Sequence, residues 1–443
     1  MTSVFTENLR VYNAQQFIQS VSEAGPTSLY LTFGRTLPWA NDSNPPQANS
    51  QVSTYSEVWA NMIGAKLISG NDIRHAIPRN NWTANTVYYM YDNDENTGYI
   101  FSGNVQFFVV TSDWNVYKCL YNNNGAVSSV MPTQTVTDNF VTESDGYIWK
   151  YMYTVSSEER LRFVTSSYIP VRTLTVDNNS LQWRVQQSAV TGAIDVIEVT
   201  NGGNGYSNAN TITVSINGDG TGAQAVAVVN TSAQTISSIV VTNPGVSYTY
   251  GTITITDTGT GANAVAHPCL SPPGGHGSDP LRELGGSYVI MNPRINRTED
   301  GKLPATNEFR EIAIFQDPLV KATGLPATDT VYTQTLRLTL STGSTNYILD
   351  ETVYQGPSLN TASFSGSVVA WDSGNNLVHV TNTTGTIQAD VLVGANSAAA
   401  RFVESVQDKD LQEYSGNLLY IDNVSPVYRA DDQTEDFKIV LKF

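Results

Sequence analysis

The stretch Leu29–Asp42, LYLTFGRTLPWAND, starts as a buried strand and then breaks its own pattern. Leu29, Tyr30, Leu31 and Phe33 are apolar and aromatic residues of the kind that line a sheet. Gly34 and Arg35 follow, then Pro38 and Trp39. Gly34 is expected to permit a sharp exit, and Pro38-Trp39 to fix a projecting loop. A strand feeding such a loop suits an active-site lip, a ligand clamp or a docking surface.

The rest of the chain narrows that choice. It has 443 residues, 40% of them hydrophobic and only 14% charged, with 23 tyrosines against 14 phenylalanines. That composition predicts a mainly β protein of two or three domains with many turns. The net charge of −17 repels phosphates and anionic headgroups, so nucleic acid and membrane surfaces are not expected partners. Cys119 and Cys269 cannot make a disulfide scaffold for a chain of this size. The N-terminal MTSVFTENLRVYNAQQFIQSV has no apolar run of signal-peptide length, and no run long enough to span a membrane occurs elsewhere. Folding in a reducing cytosol is the expectation, a profile shared by virion structural proteins.

Periodicity predicts a helix over Asn8–Val21, stopped by Gly25-Pro26, and a second over Thr54–Ile68 capped by Ser53 or Thr54. From Thr86 the pattern becomes β: TVYYMYD, YIFSG, QFFVVTS, NVYKCLY and YIWKYMYTV, separated by Asn, Gly and Asp turns. Near residue 175 aromatics give way to Thr, Val, Ile, Gly and Ala. Here IEVTNGGNGYS at 197–207 returns as IVVTNPGVSYT at 239–249, and GTGAQAVAV at 220–228 as GTGANAVAH at 259–267. Two copies are too few for a solenoid and predict one small β-module. Short alternating strands from about 333 to 405 predict a second module, a small barrel or sandwich. The tail reads as a helix-like element followed by two strands, FKIVLKF alternating as an edge or half-buried strand does. The resulting division is a parent domain in three parts, 1–175, 276–330 and 406–443, interrupted by modules at 176–275 and 331–405.

Chemistry-bearing motifs are sparse. The acidic clusters YDNDENTG (91–98) and ADDQTED (430–436) read as solvated turns, since nothing sets two carboxylates across a cleft. Asp219 in NGDGTG lacks the further acidic ligands a calcium site needs. His267, Cys269 and His276 lie close together in a breaker-rich linker, but without zinc-ligand spacing, and His75 and His379 are distant. No nucleophile elbow, phosphate loop or dinucleotide fingerprint occurs. Neither an enzyme, a cofactor nor a metal is expected. What remains is Arg35, Trp39, Trp59, Arg74, Arg79 and Trp82, with Pro78 among them; arginine and tryptophan concentrate at protein interfaces.

The same segments carry a resemblance. LYLTFGRTLPWAND, YSEVWANMIGAKLI and DIRHAIPRNNW, then DGYIWKYMYTV with SSYIPV, then NEFREIAIFQDPL, and finally YSGNLLYIDNVSPVYRADDQTEDFKIVLKF resemble, in order, the gene product eight family of baseplate wedge proteins of T-even-type myoviruses. The resemblance covers about half of the chain. It implies a β-sandwich core with helix-bearing loops, a homodimer, and a non-enzymatic place in a virion's tail baseplate beside other wedge proteins and the tail-fibre network, assembled in the host cytoplasm. It carries no cofactor. The loop with Arg35 and Trp39 would then serve subunit contacts. The modules at 176–275 and 331–405 depart from the family pattern. A competing reading is a carbohydrate-binding adhesin or tail-fibre module, with the repeated Tyr206 and Tyr248 stacking on sugars.

Overall fold

The computed structural model describes residues 5–23, 27–95 and 105–443. It is mainly β, with 42% strand against 12% helix. The chain divides into two compact units, one made of residues 1–16, 74–290 and 440–443, the other of 17–73 and 291–439.

The second unit is built on an antiparallel five-stranded sheet, ordered Val331–Thr333, Met62–Ile68, Leu29–Gly34, Asn307–Gln316 and Asn417–Arg429. Leu29–Gly34 lies in the middle and is buried throughout, as its apolar run, broken only by Thr32, favours. Its side chains alternate between two faces. Tyr30 joins Val58, Trp59, Met62, Phe315 and Leu411 in one core. Phe33 meets Phe309 edge-on at 5.4 Å on the other, with the Arg429 guanidinium 4.8 Å above its ring. The helix Val52–Asn61 supplies Val58 and Trp59 to the first of these cores.

That helix is shorter than periodicity predicts. It ends at Asn61, and Met62–Ile68 is a strand pairing with both Leu29–Gly34 and Val331–Thr333. The apolar residues fit either period, and strand pairing on both sides decides the outcome. Its N-cap is Gln51, without a side-chain hydrogen bond, rather than Ser53 or Thr54. The tail likewise has no helix after residue 411; it enters the 13-residue strand Asn417–Arg429 directly from a turn. Six strands between Leu336 and Gln407 close into a small barrel around Leu338, Val353, Val368, Val380 and Leu392.

In the first unit, Phe108–Val110, Asn115–Tyr121, Ile148–Thr154 and Val141–Thr142 form one sheet. A second contains Ile73–Pro78, Tyr168–Val171 and Tyr288–Met291, with Ile439–Lys442 at its edge, where the alternation of FKIVLKF puts it. TVYYMYD is not a strand beyond a bridge at Thr86. YIFSG and the Gly25-Pro26 stop lie outside the described residues. The helix near the N-terminus runs Glu7–Ser22.

The repeat folds as an interlocked pair. The third strand of the first copy, Gln224–Asn230, pairs with the first strand of the second, Thr235–Asn243. The third strand of the second copy, Ala262–Leu270, pairs with the first strand of the first, Ile194–Asn204. The two middle strands, Ile212–Gly218 and Gly251–Asp257, pair with each other. Tyr206 and Tyr248 occupy equivalent places in the shared core. Glycines seat them: a Cβ at Gly261 would stand 2.4 Å from the Tyr206 ring, and one at Gly220 equally close to Tyr248. Entry and exit of the module adjoin, for Ser271 donates to the Ala193 carbonyl at 2.9 Å and its hydroxyl accepts from Ala193 N–H at 3.0 Å.

Candidate functional site

The corner after the central strand is rigidly held. Arg35, not Gly34, takes the left-handed turn conformation, with φ 58°. Gly34 meets a different need: a Cβ there would stand 2.4 Å from the Asn61 carbonyl oxygen at the end of the helix. That oxygen accepts the Arg35 N–H at 3.1 Å. The Arg35 guanidinium lies 3.7 Å over the Trp39 ring, a cation–π contact. The Trp39 backbone N–H donates to Asp42 Oδ1 at 2.7 Å, and its indole N–H to the Val424 carbonyl at 3.2 Å. Asp42 in turn accepts a fork from Arg310, Nε at 3.1 Å and Nη2 at 2.9 Å. These hydrogen bonds hold the Asp42 carboxyl below the usual carboxylate range. Arg310 also donates to the Thr36 carbonyl and to Glu308.

This corner lies on the outermost strand of the five-stranded sheet. Beside the Trp39–Val424 bond, Asn423 donates to the Pro46 carbonyl at 2.9 Å. The loop therefore covers the middle of the edge strand Asn417–Arg429, and Pro426, which has no N–H to offer, follows within it. The first half of the edge is open. Residues 48–52 and 416–421 line a groove of about 830 Å³ in which Val52 is 84% and Leu419 50% exposed. Under the corner, Glu311 is buried opposite Gly34. Burial, against the attraction of Arg35, pushes its carboxyl up to about 7.

The comparisons with known proteins bear on this region. The family model described as Bacteriophage T4, Gp8 matches residues 3–138, which include the central strand, the corner and the helix Val52–Asn61. Over this segment the chain is similar to gp8. It is 22% identical over 203 residues to the baseplate wedge protein gp8 of Enterobacteria phage T4. The aligned part covers 38% of this chain and 60% of that protein's length.

All six arginines and tryptophans singled out from the sequence fall within the segment that matches gp8. The structure brings Arg35 and Trp39 together. Trp59 is 0% exposed and packs 4.9 Å from Phe315, so its side chain belongs to the core and offers nothing to another chain. Arg74 lies over Phe163 at 5.0 Å. Arg79 lies over Trp114 at 4.9 Å and donates to Asn81 and the Thr165 carbonyl. Trp82 packs against the core cluster that contains Tyr88 and Trp149, and its indole N–H donates to the Ser128 hydroxyl. Asp42, Arg310 and Glu311 escaped the sequence reading. A signal existed: three charged residues in NEFREIAIF interrupt an otherwise apolar strand, and such residues require partners.

Outside this corner the first unit buries a charged cluster. Lys118 Nζ donates to Glu283 Oε2 at 2.9 Å and to His276 Nδ1 at 3.1 Å, under the Tyr91 ring at 3.9 Å. A lysine ammonium can only donate, so His276 accepts at Nδ1 and carries its proton on Nε2, 3.9 Å from Asp195. Burial and Lys118 bring His276 down to about 4. Burial opposes the charge on Glu283, but Lys118 outweighs it and leaves the carboxyl at about 2. Burial pushes Asp195 up to about 6. His276 is thus committed here and is no partner of His267.

The remaining sequence candidates resolve into structure. Tyr206 and Tyr248 are buried, so neither ring can stack on a sugar. Asp219 accepts from the Thr249 hydroxyl and N–H and from Tyr250 N–H, which hold it at about 2 and use the carboxylate as a turn clasp. Among the described residues, no helix is long and apolar enough to cross a membrane.

Proposed function

We propose that this chain is a non-enzymatic structural subunit of the baseplate wedge in a contractile-tailed phage, a myovirus. In this reading it assembles in the host cytoplasm, bridges neighbouring wedge proteins, and takes part in the baseplate's rearrangement at infection. The carrying observation is that the gp8 match falls on the segment containing the central strand and the Arg35–Trp39 corner. Immunogold labelling of virions that contain the chain tests the placement. Gold confined to the distal end of the tail is the expected result; gold along fibres, or none on the particle, would refute it.

The chain acts as a homodimer through the open part of the edge strand. A two-fold axis beside an antiparallel edge pairs that edge with itself, and Leu419 and Val52 would be covered. Leu419→Lys should weaken the dimer at least about tenfold, as edge lysines do, with little change in thermal stability. Sedimentation equilibrium reads this, and an unchanged dimer would move the interface elsewhere.

The segments 176–275 and 331–405 are, in this proposal, insertions that contact neighbouring baseplate or fibre proteins. The adjoining ends of the first, at Ala193 and Ser271, support insertion at one point of a parent fold.

A further inference from the structure

Two ligand-type residues stand on the last strand of the repeat module. His267 and Cys269 are two apart in a stretch that pairs without irregularity, His267 with Glu198 and Cys269 with Val196. Residues so spaced project from the same face of a strand. Facing them is the turn Asp92–Asp94, far away in the sequence. Asn93 fastens it by accepting the Leu270 N–H at 2.8 Å. Asp94 N–H donates to Asp92 Oδ1 at 2.9 Å and closes the turn.

Ligand atoms of Asp92, His267 and Cys269 all lie within 4.8 Å of one another. His267 Nε2 is 3.5 Å from Asp92 Oδ1 and 3.7 Å from Asp94 Oδ2. The same nitrogen is shut from solvent and makes no hydrogen bond. Cys269 is a free buried thiol, and its charged neighbours are Asp92, Glu198 and Asp94, all carboxylates. An unbonded imidazole nitrogen, a thiol and carboxylates therefore converge where a cation is electrostatically favoured.

The geometry points to a zinc-class divalent metal site made by Asp92, His267 and Cys269, with Asp94 within reach as the fourth ligand. Sulfur and imidazole donors select zinc over calcium or magnesium, which take oxygen alone. Tetrahedral zinc sets its ligand atoms about 3.3–3.8 Å apart, so the group must close by about 1 Å. Asp92 and Asp94 are partly exposed and can rotate to do so. Binding would displace the Cys269 proton, as thiolate coordination requires. The metal would tie the turn at 92–94 to the strand by which the module rejoins the parent chain. This inference does not depend on the baseplate reading.

The test uses the full chain, stripped with a chelator and titrated with Co²⁺. One equivalent should produce a near-ultraviolet thiolate-to-cobalt charge-transfer band and the visible bands of a four-coordinate ion, and Zn²⁺ should bleach both. Cys269→Ala should abolish the charge-transfer band, whereas Cys119→Ala should keep it. His267→Ala, at a partly exposed position, should weaken zinc at least about 100-fold by calorimetry while leaving the thermal transition of the metal-free chain in place. No thiolate band, a band that survives Cys269→Ala, or unchanged zinc affinity in His267→Ala would each overturn the assignment.

Discussion

Replacing Lys118 by methionine should destabilise the first unit by about 3–5 kcal/mol at pH 7, the usual cost of leaving one member of a buried ion pair alone. Lys118 is 0% exposed, and its ammonium faces Glu283 and His276. Removing it leaves the Glu283 carboxylate with the N–H groups of Gly277 and Asp279 but no hydrogen-bonded cation. The pH response should reverse as well. In the native chain the Glu283 carboxyl is depressed to about 2, so its stabilisation is present above the ordinary value of 4.5 and is lost as pH falls through 2. Without Lys118 the acid form is preferred, and Lys118→Met should lose less stability at pH 4.5 than at pH 7. Adding Glu283→Gln should recover most of the loss. Urea unfolding followed by tryptophan fluorescence measures all three. A Lys118→Met variant as stable as the parent would mean that Glu283 does not carry its charge.

The second large effect lies under the Arg35 corner. Burial raises Glu311 from 4.5 to about 7. A raised carboxyl contributes stability that is complete below 4.5 and is lost as pH climbs through 7. A rise of that size corresponds to on the order of 3 kcal/mol. Glu311→Gln cannot titrate, so its stability relative to the native chain should improve by about that amount between pH 4 and pH 8. Parallel thermal unfolding of the two proteins across that range provides the check. Curves that stay a constant distance apart would mean that Glu311 ionises as an ordinary surface acid.

These two sites mark where sequence reading stops. Leu29–Phe33 is legible as a buried strand because its apolar and aromatic residues, broken only by Thr32, end at Gly34. Met62–Ile68 fits a helix from sequence, because Val58, Met62 and Ala65 satisfy helical spacing, and only the strands on either side, from residues 29–34 and 331–333, settle it as β. Trp39 and Trp59 look alike in sequence, yet one caps an edge strand and the other fills a core. Their difference comes from partners at 424 and 315, which no local pattern announces. The His267–Cys269 pair was visible, but its third member was sought nearby at His276. The fold supplies Asp92 instead and assigns His276 to Lys118. Separations of this kind are invisible without the topology that closes them.

The doubled clasp between Ala193 and Ser271 has a mechanical meaning. In the rearranging assembly proposed above, tension along the polypeptide would pass every point of it. Here a pull arriving at residue 193 can cross to 271 through two hydrogen bonds, bypassing everything between. The six strands beyond, held otherwise at Leu270 by Asn93, then lie beside the direct path of the load. They can tolerate sequence drift, bulges and insertions that a tensioned element could not, and can be remodelled without altering how force travels through the rest of the chain.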